Sequence, residues 1–156
     1  MRFGAIGLMT VLLAGCAHHD VPRGGETISY ATERCFGTCP VYTVTVGPDG
    51  QGIFNGQQFT AVTGEHRFQA SPEQVRSFGK ALARIRPEGE RAIVPGSPDC
   101  KMAPTDMPSI TVRWQGAGGV SSLRFYNGCA RENREIADTI RAAPALLPIG
   151  DFIGKR

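Results

Sequence analysis

The sequence predicts an α+β domain, an antiparallel sheet of about six short strands with two helices packed on one face. Three observations carry that expectation. Short runs of alternating apolar and polar residues recur between Gly, Pro and Asn turns, the pattern of half-buried strands. Two longer stretches place apolar residues three and four apart, as one face of a helix requires. Four cysteines, Cys35, Cys39, Cys100 and Cys129, are spread through these elements. In an exported chain an even number of cysteines reads as a disulfide framework.

Export itself is read from the N-terminus. Met1 and Arg2 are followed by an apolar run over residues 3–13, and then by Leu13-Ala14-Gly15-Cys16. Such a run is shorter than the ~20 residues needed to span a bilayer and suits the core of a cleavable signal. Small residues at 14 and 15 before a Cys match the bacterial lipobox, so residues 1–15 resemble a lipoprotein signal peptide. The resemblance implies cleavage before Cys16, a thioether-linked diacylglycerol on its sulfur, and acylation (typically palmitate) of its new amino group. Several acyl chains, each gaining ~0.8 kcal/mol per buried CH₂, make a stable membrane anchor. Residues 16–26 then form a lipidated, flexible tether, polar and carrying Pro22, Gly24 and Gly25. His18 and His19 belong to that solvated linker. Ala17 after the lipid Cys, where Asp would signal retention, resembles the outer-membrane sorting pattern. In a Gram-negative cell that places the domain, residues 27–156, in the periplasm at the outer membrane.

The domain opens with Ile28 and Tyr30 alternating with Ser29 and Ala31, a first strand. Residues 35–42, CFGTCPVY, interrupt it, and Tyr42, Val44 and Val46 resume the alternation as a second. Gly47-Pro48-Asp49-Gly50 is a turn: Pro presets φ, Asp bonds its own backbone and Gly takes positive φ. Gly52-Ile53-Phe54 forms the third strand. Asn55-Gly56 is the dipeptide of a two-residue type I′ hairpin, which predicts that residues 59–62 fold back as the next strand. After Gly64-Glu65, His66-Arg67-Phe68 continues the meander.

Ser71-Pro72-Glu73-Gln74 is a helix start, with Ser as cap, Pro in the first turn and Gln74 closing a capping box. Val75, Phe78, Leu82 and Ile85 form the buried stripe opposite Arg76, Lys80 and Arg84, and Pro87 ends the helix at Ile85 or Arg86. Residues 87–108 are a long proline-rich loop, expected to be pinned by Cys100. Ile110, Val112 and Trp114 begin a second hairpin, turned by Gly116-Ala117-Gly118-Gly119 and returned through Leu123 and Phe125. That glycine cluster joins two antiparallel strands and opens no helix, so it is not a phosphate loop. A second helix over residues 131–143 buries Ile136, Ala137 and Ile140, pairs Arg131 with Glu135 and Arg134 with Asp138, and stops at Pro144. The tail through Phe152 is expected to pack locally. PVYTVTVGPDGQGIFNG loosely echoes PSITVRWQGAGGVSSLRFYNG, a pseudo-repeat of hairpin then helix.

CFGTCPVYTVTV, the Gly-rich turn, FNGQQF, TGEH and the Ser-Pro-capped helix together resemble the domain-of-unknown-function family numbered 6438, over roughly residues 27–143. Thr105-Asp106-Met107-Pro108 is similar to its second recognisable element. The resemblance implies an exported bacterial domain and brings no catalytic residue with it.

Four cysteines allow three connectivities. With residues 115–120 as the hairpin loop, Trp114 faces Ser121, and the register brings Asp106 and Met107 opposite Cys129 and Gly128. Cys100, just upstream, can then reach Cys129, leaving Cys35 with Cys39, a turn that Gly37 eases. The alternative use of Cys35 and Cys39 is chemical. Cys-x-x-x-Cys-Pro is similar to the copper motif of Sco-type assembly factors, with His66 as the third ligand, and thiol–disulfide exchange would use the same pair. A zinc site lacks knuckle spacing.

With 17 Lys and Arg against 14 Asp and Glu, scattered along the chain, there is no basic stripe for nucleic acid. One His in the domain anchors no triad, and Asp99 and Asp106 are the nearest thing to a carboxylate pair. Arg34 beside Cys35 could lower a thiol pKa or simply face solvent. The expectation is therefore a cell-envelope lipoprotein in a binding or structural role, without catalysis or cofactor, its partner beyond the membrane undefined. The alternative is redox or copper handling at Cys35 and Cys39.

Overall fold

The middle strand of the sheet is the first in the chain. A computed structural model describes residues 25–154, in which β1 (Thr27–Thr32) is paired on both sides. On one side lie β2 (Val41–Val46), β3 (Gln51–Gln58) and β4 (Gly64–Gln69); on the other β6 (Ser109–Gly116), β7 (Gly119–Tyr126) and β5 (Glu90–Ile93). The seven strands run in the order β4-β3-β2-β1-β6-β7-β5. The lipobox, Cys16, His18, His19 and Lys155-Arg156 lie outside the described residues. Among residues 25–154 no helix is long and apolar enough to cross a membrane.

The sequence echo becomes a pseudo-symmetry about β1. Val44 and Val112 both oppose Tyr30, while Val46 and Trp114 both oppose Ile28. All these side chains are buried on one face, where α1 (Pro72–Ala83), α2 (Arg134–Ala142) and the one-turn α3 (Gly150–Ile153) pack. The other face is polar, with Ser29 Oγ and Thr45 Oγ1 2.9 Å apart across β1 and β2.

The structure corrects the expectation of an all-antiparallel sheet of about six strands. The sheet is mixed and has seven, because β5 joins the edge parallel to β7. Its four residues, ERAI, bury only Ile93, too short a run to reveal a period in sequence. Residues 59–62 form no strand either. Asn55-Gly56 lies inside β3, with Asn55 opposite Thr43 and Glu65. Gly56 is needed for space: a Cβ there would stand 2.1 Å from the Val62 carbonyl oxygen, where the 57–63 loop folds over it. The chain turns instead through Phe59 and Gly64, both at positive φ.

The turn after β2 is as the residues require, with Gly50 at φ 81° and the Gln51 amide bonded to Asp49 Oδ1 at 3.0 Å. The α1 capping box is present in full: Gln74 N–H to Ser71 Oγ, and Ser71 N–H to Gln74 Oε1 at 2.8 Å. Phe78, Leu82 and Ile85 are buried from that helix, with Val75 packed at the margin. Arg86, just beyond its end, spans to the sheet. Its Nε bonds Ser121 Oγ at 2.8 Å, its Nη1 pairs with Glu26 at 2.6 Å, and its guanidinium lies 5.8 Å from the ring of the buried Trp114.

The second helix begins later than expected, at Arg134, because residues 127–131 form a 3₁₀ turn first. The ion pairs differ as well. Glu135 reaches Arg84, the C-cap of α1, at 3.0 Å, and Asp138 stands 4.0 Å from Arg141. The tail does not pack locally: Phe152 sits 5.5 Å from both Phe54 and His66, and the carbonyls of Phe152 and Ile153 accept the amides of Val62 and Ala61.

Candidate functional site

Both disulfides sit at one end of the sheet, where β1 ends and β6 begins. Cys35 is bonded to Cys39 in the β1–β2 corner, Cα atoms 5.8 Å apart, and Gly37 between them adopts φ 143°. The corner is tied to the loop leading into β6. Phe36 N–H donates to the Asp106 carbonyl at 3.1 Å, and Glu33 N–H to that of Ser109 at 2.8 Å. Cys100 is bonded to Cys129, Cα atoms 5.5 Å apart, both sulfurs in the core. This bridge holds the proline-rich loop against the end of β7. The Tyr126 hydroxyl clasps the same loop, donating to the Pro104 carbonyl at 2.8 Å and accepting the Met107 amide at 3.0 Å. Asn133 Nδ2 adds bonds to the carbonyls of Asp99 and Cys129.

Between this braced end and the helical layer a cleft of about 520 Å³ opens. Tyr30 of β1 and Tyr42 of β2 form its floor, ring centroids 6.1 Å apart, with Phe54 continuing the stack 5.1 Å beyond Tyr42. The Tyr30 hydroxyl donates to the Ile140 carbonyl at 3.1 Å, tying that floor to α2. Thr32 fixes the wall, since its hydroxyl donates to the Pro40 carbonyl at 2.8 Å and accepts the Tyr42 amide at 3.0 Å. Those two bonds hold the strand where β2 slips register against β3, between Val41 and Tyr42. Met107, Pro108 and Ile110 form one side of the cleft; Pro144, Ala145 and Ile153 form the other.

Beyond the hydroxyls of Tyr30, Thr32 and Tyr42, two polar side chains break this apolar lining. Arg141, in the last turn of α2 with its side chain half exposed, is the one charged group among the described lining residues. Asn127 also lines the cleft, and its Oδ1 is buried without a hydrogen-bond partner. An orphaned buried acceptor costs roughly 1–3 kcal/mol, a cost removed if a donor reaches it. The cleft falls within the roughly 300–1,000 Å³ of small-ligand sites, which pair apolar walls with a few convergent polar groups.

Of the candidate disulfide, metal and carboxylate residues read from sequence, only Cys39 lines the cleft. Cys35 is half-buried beside it, and Cys100 and Cys129 brace the loops behind. His66 lies on β4, its ring against Phe152 and its Nε2 3.3 Å from the Thr63 carbonyl oxygen. Among the described residues no three His, Cys, Asp or Glu side chains gather as metal ligands, so His66 does not join Cys35 and Cys39 in a copper-type set. Asp99 pairs with Arg91 at 2.8 Å and Asp106 accepts the Thr105 hydroxyl at 3.1 Å, each engaged on its own. Sequence reasoning missed Asn127 and Arg141. Nothing in their local pattern marks them, because the cleft joins the ends of β1, β7 and α2, elements distant in sequence.

Residues 26–144 match the family described as a domain of unknown function, DUF6438. No curated protein and no solved structure matches the chain.

Proposed function

The chain belongs to the domain-of-unknown-function family DUF6438, and on that footing we propose that it is a lipid-anchored binding domain of the cell envelope whose ligand enters the cleft over Tyr30 and Tyr42. The observation that carries this is the cleft itself. An apolar hollow of about 520 Å³, with one cation among the described lining residues and an orphaned acceptor, lies at the end of the sheet that carries both disulfides, one of which, through Cys39, lines it. The disulfides serve to hold the rim. Cys16 supplies the membrane attachment through its lipid, leaving the domain on a short tether, and the sequence patterns of export and sorting favour the periplasmic side of the outer membrane.

Ligand-observed NMR with a mixed panel of small acids, amines and neutral compounds tests the binding role. Full-length exported chain is compared with Ala145→Trp, which fills the mouth of the cleft from an exposed position. Binders lost in the variant support the proposal; no binder, or binders indifferent to the variant, oppose it. Anchoring is tested by mass spectrometry of the N-terminal peptide, where an unmodified Cys16 contradicts it.

One observation favours a second reading. The Cys35–Cys39 bridge is half-exposed and closes a loop of only three residues, so a thiolate could reach it for exchange. A reduction potential well above about −300 mV, the level typical of inert structural bridges, would support that reading over the structural one.

A further inference from the structure

The polar groups of the cleft specify more than a generic apolar ligand. Arg141 is the one charged side chain among the described lining residues, and its acidic neighbour Asp138 stands at 4.0 Å, the limit of an ion pair. Among the described residues no acid lines the cleft to compete with an incoming anion. A guanidinium recognises a carboxylate better than any other common anion save phosphate, because two N–H groups match two oxygens. The remaining walls, Met107, Pro108, Ile110, Pro144 and Ile153, suit an apolar body and would leave a sugar or a polyphosphate unsatisfied.

The second group is Asn127. Its Oδ1 is buried with no donor and its residue lines the cleft, so a ligand N–H that reached it would satisfy it. What it lacks is an N–H. A fatty acid would answer Arg141 and leave Asn127 orphaned. A chain that ends in an apolar residue carries the carboxylate, the apolar side chain and an amide N–H on the same terminal unit. Capture of a C-terminal carboxylate is a recurrent way of recognising peptides.

Resting on the binding role proposed above, we infer that the cleft takes the C-terminal residue of an apolar polypeptide. Its carboxylate pairs with Arg141, its side chain lies over Tyr30 and Tyr42, and its last amide N–H turns to Asn127. The rim fits the rest of such a partner. Phe36, 89% exposed at the tip of the Cys35–Cys39 loop, and Met107, 40% exposed, offer apolar contact to the residues that precede the terminus.

Calorimetric titration of the full exported chain tests this with three probes: a hexapeptide ending in Leu as the free acid, the same peptide as its C-terminal amide, and laurate. The free acid is expected to bind about tenfold or more tightly than the amide, the value of one charge-assisted pair, and more tightly than laurate. Arg141→Gln should remove that preference. Arg84→Gln, an exposed arginine of the α1 end paired with Glu135, should leave it intact and shows that bulk charge is not the cause. Asn127→Leu, which supplies no acceptor, should weaken the peptide and not laurate. Equal binding of acid and amide, or laurate binding as tightly as the peptide, overturns the inference while leaving the cleft a binding site. Binding by none of the three overturns it too, and the mixed-panel result then decides whether the binding role falls with it.

Discussion

The hydroxyl of Thr32 accepts the amide of Tyr42 at 3.0 Å and donates to the carbonyl of Pro40 at 2.8 Å. One side chain thus stitches the end of β1 to the irregular start of β2, at the wall of the cleft. Valine fills nearly the same volume without a hydroxyl, so Thr32→Val leaves both backbone groups short of a partner. We expect a loss of about 1–3 kcal/mol in urea denaturation, with Thr32→Ser recovering most of it. Equal losses for Val and Ser would mean that packing, and no hydrogen bond, holds this corner.

Gly56 and Gly118 make a matched pair. A Cβ on Gly56 meets the Val62 carbonyl oxygen at 2.1 Å, a backbone atom that cannot swing aside, whereas one on Gly118 meets nothing within 4 Å. Gly56→Ala should therefore cost about 1–3 kcal/mol through forced displacement of the 57–63 loop. Gly118→Ala should change stability by no more than about 0.5 kcal/mol, as for a surface site away from special contacts. Thermal unfolding of the two variants side by side reads the difference.

The two disulfides should separate under reduction. Cys100 and Cys129 are 0% and 1% exposed, while Cys35 and Cys39 are half-buried at the rim. Graded dithiothreitol with alkylation should release Cys35 and Cys39 first. By loop-closure entropy the bridge spanning 29 residues between Cys100 and Cys129 contributes roughly 3–4 kcal/mol and the short one less. Cys100→Ser with Cys129→Ser should accordingly lower stability far more than the equivalent pair at 35 and 39. Non-reducing trypsin digestion checks the pairing, since the peptides 92–101 and 125–131 should travel together.

Arg86 bonds Ser121 and Glu26 and lies over Trp114, holding the chain after α1 to the hairpin. Arg86→Ala should destabilise by about 1–2 kcal/mol in chemical denaturation. Lysine should restore little of this, because a point charge cannot span the hydroxyl and the ring together.

What was legible in the sequence follows from where each signal resides. The α1 cap, the 47–50 turn and the β6–β7 register, with Trp114 opposite Ser121, are written in neighbouring residues, and the structure shows each. Asn55-Gly56 misled because the same dipeptide serves two purposes. Here the glycine makes room for a loop that crosses it, information that lies in residues 57–63 and their fold. β5 was hidden because a four-residue parallel edge strand gains its identity from β7, 30 or so residues away. The tail was misplaced for a similar reason, as Phe152 finds its partners on β3 and β4. The cleft was least legible of all. Asn127 and Arg141 sit on separate elements, and only the folded chain puts them in one hollow.

The most direct test of the binding role uses the cleft in its own compartment. A photo-crosslinking amino acid placed at Met107, on the exposed rim, is compared in living cells with the same group at Glu65, an exposed position on the edge strand β4. We expect a discrete, reproducible adduct from position 107 that is absent from position 65 and suppressed by Ala145→Trp. No adduct at 107, or the same adducts from both positions, would contradict a ligand-binding cleft at the disulfide-braced end of this domain.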